Sequence, residues 1–192
     1  MKNSIPRAPD FSKREPTEIE ISPLVENDIF TRLKDQDTKI SSKAAEYLIN
    51  HYSETLEISS NLSTVINSQA SLFCSNNENI KMKAEELIDL CVRNENPNIL
   101  VRPICSAVTS SNQRSKIMLL EKLNSLLPSV AEQQPVLLSK HVLPMVYSLL
   151  DDKSRFIKKK TEEIVLTLYG LIGSALIEFS PSNKLQMILD II

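Results

Sequence analysis

Three stretches of this chain carry the same turn. Leu33-Lys34-Asp35 leads to Ile40 and Ala44, Phe73-Cys74-Ser75 to Ile80 and Ala84, and Leu150-Asp151-Asp152 to Ile157 and Thr161. In each, an apolar helix end gives way to a short polar turn. A β-branched apolar residue stands five positions after Asp35, Ser75 or Asp152, and a small residue stands four positions beyond it. A weaker copy runs from Val108 through Ser110 to Ser115 and Leu119. The anchors Ile40, Ile80, Ser115 and Ile157 are separated by 40, 35 and 42 residues. A two-helix unit cannot bury its apolar face alone, so recurrence at this period predicts copies that stack and share one continuous core.

Between the turns the apolar residues fall at i, i+3, i+4 and i+7, the spacing of one buried face per helix. The stripes begin with Leu24, Ile29, Phe30 and Leu33, followed by Ile40, Ala44, Ala45, Leu48, Ile49 and Tyr52. Ile58 to Phe73 and Ile80 to Cys91 come next, then Ile99 to Val108, Ile117 to Leu127, Val136 to Leu150 and Phe156 to Ile172. A last short helix is expected over 182–192. Pro97 and Pro135 mark inter-helix turns. Ser75-Asn76-Asn77-Glu78 and Ser110-Ser111-Asn112 offer capping side chains to the helices that follow. Residues 1–22, interrupted by Pro6, Pro9 and Pro16, read as an extended or disordered tail. Ser22-Pro23 reads as a helix start, so the folded domain spans 23–192. The expected fold is all-α: a HEAT-type α-solenoid of about four helix pairs plus a C-terminal helix. A plain antiparallel bundle would also give stripes and turns, but not the matched spacing inside the turns.

Composition removes most other functions. The only glycines are Gly170 and Gly173, too few and too late for phosphate-cradling loops or a hairpin-rich fold. No GxxxxGK[ST], GxGxxG or GxSxG signature occurs. His51 and His141 are the only histidines and neither has a zinc-ligand neighbour; His141 reads as a cap or surface residue. Cys74, Cys91 and Cys105 lack CxxC spacing and read as small core residues of a reducing compartment. The carboxylate pairs Glu85-Glu86, Asp151-Asp152 and Glu162-Glu163 are adjacent in sequence, do not share a helix face, and read as solvated surface. An enzyme is therefore not expected, nor is a catalytic, cofactor or metal site. No apolar run of 18 residues exists, so no membrane span is expected. With a formal net charge of −2 and 5% aromatic residues, nucleic acid is not an expected partner.

What remains is a surface. In stacked helix pairs the turns within each pair line up along one edge, and here the positions after the turns are basic. They are Lys39 and Lys43, then Lys81 and Lys83, then Arg114 and Lys116, and finally Arg155, Lys158, Lys159 and Lys160. A ridge of this kind suits an acidic protein surface, where charge steers encounter and rim pairs set register. A merely solvated helix face is the alternative.

The stretch LLDDKSRFIKKKTEEIVLTLYGLIG resembles a HEAT repeat of the TOG (tumour overexpressed gene) class, and EIVLTLYGLIGSALIEFSPSNKLQMILDII resembles the end of a TOG domain. The resemblance covers about residues 24–192 and is most specific over the last 50. TOG domains are paddles of HEAT repeats that bind tubulin through their intra-repeat turns, in microtubule polymerases, CLASP-type rescue factors and ciliary or centriolar proteins. The resemblance implies a non-catalytic tubulin-binding module of the cytoplasm and cytoskeleton, at the microtubule, centrosome or cilium. It puts Lys39, Lys81, Lys83, Arg114, Lys116, Arg155 and Lys158 on the tubulin-facing edge. The chain departs from the family in lacking a first-turn Trp and in having four pairs rather than five or six. Those departures fit a second reading, a HEAT-repeat scaffold or adaptor that mediates protein–protein assembly or dimerisation without tubulin. The apolar stretch Leu189-Asp190-Ile191-Ile192 would serve there as a docking end, for a second copy or a larger assembly.

Overall fold

The computed structural model describes residues 26–55 and 57–192. The expected tail over 1–22, the helix start at Ser22-Pro23 and Leu24 of the first stripe lie outside them. Every regular element among the described residues is helical. The helices are α1 (Glu26–Arg32), α2 (Thr38–Asn50), α3 (Ile58–Leu72), α4 (Glu78–Asn94), α5 (Pro97–Ser110), α6 (Gln113–Gln133), α7 (Leu143–Leu149), α8 (Arg155–Ile172), α9 (Ala175–Glu178) and α10 (Leu185–Leu189).

The recurring turns have a common chemistry. Three residues before each anchor stands the N-cap, whose side chain accepts from a backbone N–H of the first turn. Asp37 accepts from Lys39, Asn77 from Asn79, Asn112 from Ser115 and Ser154 from Ile157. Each cap satisfies an otherwise orphaned donor and is worth about 1 kcal/mol. In three of the turns the residue at anchor minus five accepts from the N-cap's own N–H: Asp35 at 2.8 Å, Ser75 at 3.1 Å and Asp152 at 2.9 Å. This is an Asx- or Ser-type turn placed just ahead of a cap. The weak copy differs because the Ser110 hydroxyl donates backwards to the Ser106 and Ala107 carbonyls.

Helices α2, α4, α6 and α8 are in contact in succession, and so are α1, α3, α5 and α7. The core lies between these two rows. Leu87, Leu100, Ile104, Leu119, Leu123 and Leu127 are fully buried in it, and Ala44, Ala45 and Ala84 let helices approach closely. The Ser115 hydroxyl, also fully buried, donates to the Ala70 carbonyl at 2.5 Å and ties the start of α6 to the end of α3.

The structure corrects several expectations. Ile40 is 41% exposed although it is the first anchor, because the side of α2 it lies on borders an open cleft shared with Ile29 and Arg32 of α1. Phe156, read as the start of an apolar stripe, is 68% exposed, and Tyr52 lies beyond the end of α2. Helix α6 runs on past Leu127 through Pro128 to Gln133. Pro128 is itself exposed, so its ring costs no packing. The stripe from Val136 to Leu150 is not one regular helix. A π turn over Leu138–Val142, with the Leu143 N–H donating to the Leu138 carbonyl, precedes Pro144 and feeds α7. Widening the helix here accommodates a ring that cannot donate. His141 lies inside that turn, half-buried, and caps nothing. Helix α8 stops at Gly173, whose φ of +57° few residues other than glycine adopt, and α10 is shorter than the expected helix over 182–192. Cys91 and Cys105 are buried and free, but Cys74 is exposed.

Candidate functional site

All ten basic residues nominated from sequence fall in the N-terminal halves of α2, α4, α6 and α8. Contacts between these helices show that their starts lie side by side. Lys116, four residues into α6, pairs with Asp152 in the turn before α8 at 3.6 Å. Further along, Lys83 of α4 reaches Glu46 of α2 at 2.6 Å. Lys122 of α6 reaches Asp89 and Glu85 of α4 at 2.5 and 3.6 Å, and Lys160 of α8 reaches Glu121 of α6 at 3.0 Å. Each pair joins points at similar depth along neighbouring helices, and the two contacts between the α6 and α8 regions, Lys116 with Asp152 and Glu121 with Lys160, advance together along the chain, as in helices that run the same way.

These contacts form a ladder. Each rung is a lysine on one helix and a carboxylate on the helix before it, so the row is cross-linked electrostatically from α2 to α8. The lysines are 22–27% exposed and their carboxylates 34–52%, so the pairs are partly open to solvent and screened in part by salt. Lys160 also holds Glu163 at 2.9 Å, and these two carboxylates raise its pKa above the ordinary lysine value, against a small opposing effect of burial.

The ladder divides the predicted ridge. Lys83, Lys116 and Lys160 are spent on neighbouring elements, and Lys81 pairs with Glu78 of its own helix at 2.8 Å. Among the described residues, Lys39, Lys43, Arg114, Arg155, Lys158 and Lys159 form no ion pair, and all six are exposed. The carboxylates read as solvated surface are corrected in the same way. Glu85, Asp152 and Glu163 are in the pairs just described, and Asp151 pairs with Lys184. Sequence reading missed them because the inter-element partners stand 33–39 residues away.

It also missed an apolar component. Phe156 stands between Arg155 and Lys158 at the start of α8. Met82, 63% exposed, stands between Lys81 and Lys83, and Ile40 lies next to Lys39. Flanking charge gives no signal for Phe156, since Ile157 in the same run of cations is buried; the i, i+4 step from Ile157 to the buried Thr161 is what sets the inner face.

The remaining polar clusters are structural. The Tyr52 hydroxyl donates to Glu95 Oε1 at 3.0 Å and the Ser59 hydroxyl to Glu95 Oε2 at 2.6 Å, closing the α2–α3 connection onto the end of α4. Burial raises the Tyr52 phenol and pushes the Cys91 thiol up to about 12; Cys105 is likewise pushed up to about 12. Both thiols are thus held in their protonated, unreactive form. The His51 ring stacks on Tyr47 with its Nδ1 at 3.0 Å from the Tyr47 carbonyl. Among the described residues no three His, Cys, Asp or Glu side chains come together as a metal would require, and no helix is long and apolar enough to cross a membrane.

Compared with protein-family models and with curated proteins, the chain matches none.

Proposed function

We propose that this chain is a non-catalytic protein-interaction module, a HEAT-type solenoid of four helix pairs with a TOG-like edge that binds tubulin. One observation carries the reading. Six exposed cations without an ion-pair partner among the described residues, interleaved with exposed Ile40, Met82 and Phe156, stand at the aligned starts of α2, α4, α6 and α8. Cations and apolar anchors on one rigid edge suit an acidic protein surface: charge steers the encounter, and a buried aromatic supplies the holding energy. Phe156, at the start of α8, is the exposed aromatic on this edge, at the opposite end from the first turn where the family carries a Trp. The place of action on this reading is the cytoplasmic cytoskeleton, at the microtubule, centrosome or cilium.

The test is co-elution with unpolymerised tubulin in size-exclusion chromatography at low and moderate salt. Binding is expected at low salt, weakened by moderate salt. It is lost on triple reversal of Arg155, Lys158 and Lys159 to Glu, and separately on Phe156→Ala. Absence of co-elution at both salts refutes the tubulin reading. A second reading, a scaffold or adaptor without tubulin, is favoured by the apolar residues left exposed on and after α8: Leu166, Tyr169, Phe179 and Leu189.

A further inference from the structure

The ladder has an open rung at each end. Lys83 and Lys160 each stand three residues after the anchors Ile80 and Ile157, and Lys43 stands three after Ile40. Lys43 thus occupies the donor position, yet has no carboxylate partner among the described residues. On the acceptor side, Glu46, Glu85 and Glu121 stand five or six residues after their anchors, and each receives a lysine from the next helix. Glu162 stands five after Ile157 and receives none.

Both open positions point away from the row. On α2, Lys43 shares a stripe with the exposed Ile40 and the half-buried Tyr47 (i, i+3, i+7), bordered on its inner side by the buried Ala44, while Glu46 leans from the neighbouring stripe to α4. On α8, Glu162 shares a stripe with Leu166 and Tyr169, while Lys160 and Glu163 face α6. Each outward stripe borders a cleft. The one at the α8 end, of about 460 Å³, is lined by Leu150, Lys158, Glu162, Leu166, Met187 and Ile191. The one at the α2 end, of about 450 Å³, is lined by Ile29, Arg32, Ile40, Lys43, Ala44 and Tyr47. Asp190 adds a second acid to the first cleft, and Asp35 adds an acid to the second. Both ends carry apolar residues, and Glu162 and Asp190 beside Lys158 at one are complementary to Lys43 at the other, where Arg32 is already paired with Asp28 at 2.5 Å.

We propose that copies of this chain associate head to tail, the α8 end of one seating on the α2 end of the next, with Glu162 accepting from Lys43 of the next copy as a further rung. The inference rests on the stacked reading of the fold. Such a contact joins two different patches, so its product is an open series of copies rather than a closed two-fold dimer. The apolar stripes supply the attraction and the charged rungs set the register.

Sedimentation velocity on the whole chain over a range of concentrations tests this. Average mass rises without levelling at a dimer, and less steeply as salt is added. Lys43→Glu and Glu162→Lys each weaken association about tenfold or more, from like charges brought face to face. The two changes combined in one chain restore it. Leu166→Arg blocks only the α8 end and Ile40→Arg only the α2 end. Each variant alone is monomeric, and an equal mixture gives a discrete 1:1 dimer through the two intact ends. A dimer plateau abolished by Leu166→Arg and indifferent to Ile40→Arg would mean two-fold pairing through α8, and overturns the proposal. A monomer at every concentration with unchanged thermal melting overturns it too, while leaving the stacked reading intact. Failure of that reading shows separately: a zero-length carbodiimide cross-link between Lys122 and Asp89, 2.5 Å apart on neighbouring helices, would then not form.

Discussion

Lys122 is the most informative single residue for the origin of this fold's stability. Its ammonium lies 2.5 Å from Asp89 and 3.6 Å from Glu85, and the three side chains are 22%, 34% and 52% exposed. The bare attraction to Asp89 is roughly 1.7 kcal/mol at the dielectric of water and roughly four times that at an effective value of about 20. Desolvation of the ammonium and the ordering of a four-carbon stem offset most of it, and exposed pairs commonly retain about 0.2–1 kcal/mol. One ammonium serving two carboxylates from a largely buried position belongs at the top of that range, about 1 kcal/mol. Lys122→Met keeps the stem and removes the charge, so it should lower the melting temperature by about 2–4 °C. Lys122→Glu places a third carboxylate beside two others. A loss of about 2–3 kcal/mol then follows, or roughly 5–10 °C. Circular dichroism melts at about 0.15 M and about 1 M salt are the assay, since the Debye length shortens from about 8 to about 3 Å and the gap between wild type and Met should narrow. Lys39→Glu, in the exposed first turn of α2, is the control and should be neutral or slightly stabilising. If Lys122→Met and Lys122→Glu melt together, or the Glu variant matches the Lys39 control, the ladder contributes nothing and apolar packing alone holds the row.

Three further outcomes are expected. With a thiol reagent at mildly alkaline pH, the folded chain should react rapidly at Cys74 alone and the unfolded chain at all three cysteines, because Cys91 and Cys105 are buried and pushed up to about 12. His141 is held below the ordinary histidine value by burial first and by Lys140 and Arg102 next. The unfolded chain therefore takes up that proton first as pH falls, and stability drops from about pH 6.5 down to the folded pKa. His141→Asn should flatten that part of a urea-midpoint profile, and an unchanged slope would discard the assignment. The two glycines should respond with opposite sign. Gly173→Ala, at φ +57° and ψ −135°, should cost about 1–3 kcal/mol. Gly170→Ala, on the exposed face of α8 with no atom within 4 Å of its added Cβ, should gain about 0.5–1 kcal/mol.

The helices were legible because their determinants are local. Asp37, Asn77, Asn112 and Ser154 each satisfy a donor two or three residues away, and the apolar stripes follow from a period that backbone geometry fixes. Errors appear where distant structure decides. Ile40 and Phe156 are read into apolar stripes, but both stay exposed. The stripe reads as ending at Leu127, yet α6 continues through Pro128 to Gln133. In the candidate site, the ten bases were visible as types at a period, but their pairing was not. Lys83 and Lys43 hold equivalent positions, and only the presence of Glu46 on a preceding helix distinguishes a cross-link from a free charge. A sequence lists charges; packing determines which of them are already satisfied.

That division bears on why the unpaired bases are there. Lys39, Arg114 and Arg155 occupy the first turns of α2, α6 and α8, and none of these helices has an acid in its first turn. The positive end of the helix dipole disfavours a cation there by about 0.3–1 kcal/mol, where an Asp or Glu would gain a similar amount. The ladder lysines Lys83, Lys122 and Lys160 sit deeper in their helices, beside carboxylates that favour them. A chain selected for stability alone would place acids at the three helix starts. Carrying bases at all three is a local conflict between charge and helix, and such conflicts are expected where a surface serves contact rather than folding. The same electrostatic logic that stitches α2 to α8 thus leaves unpaired charge along the edge of helix starts proposed to meet an acidic partner.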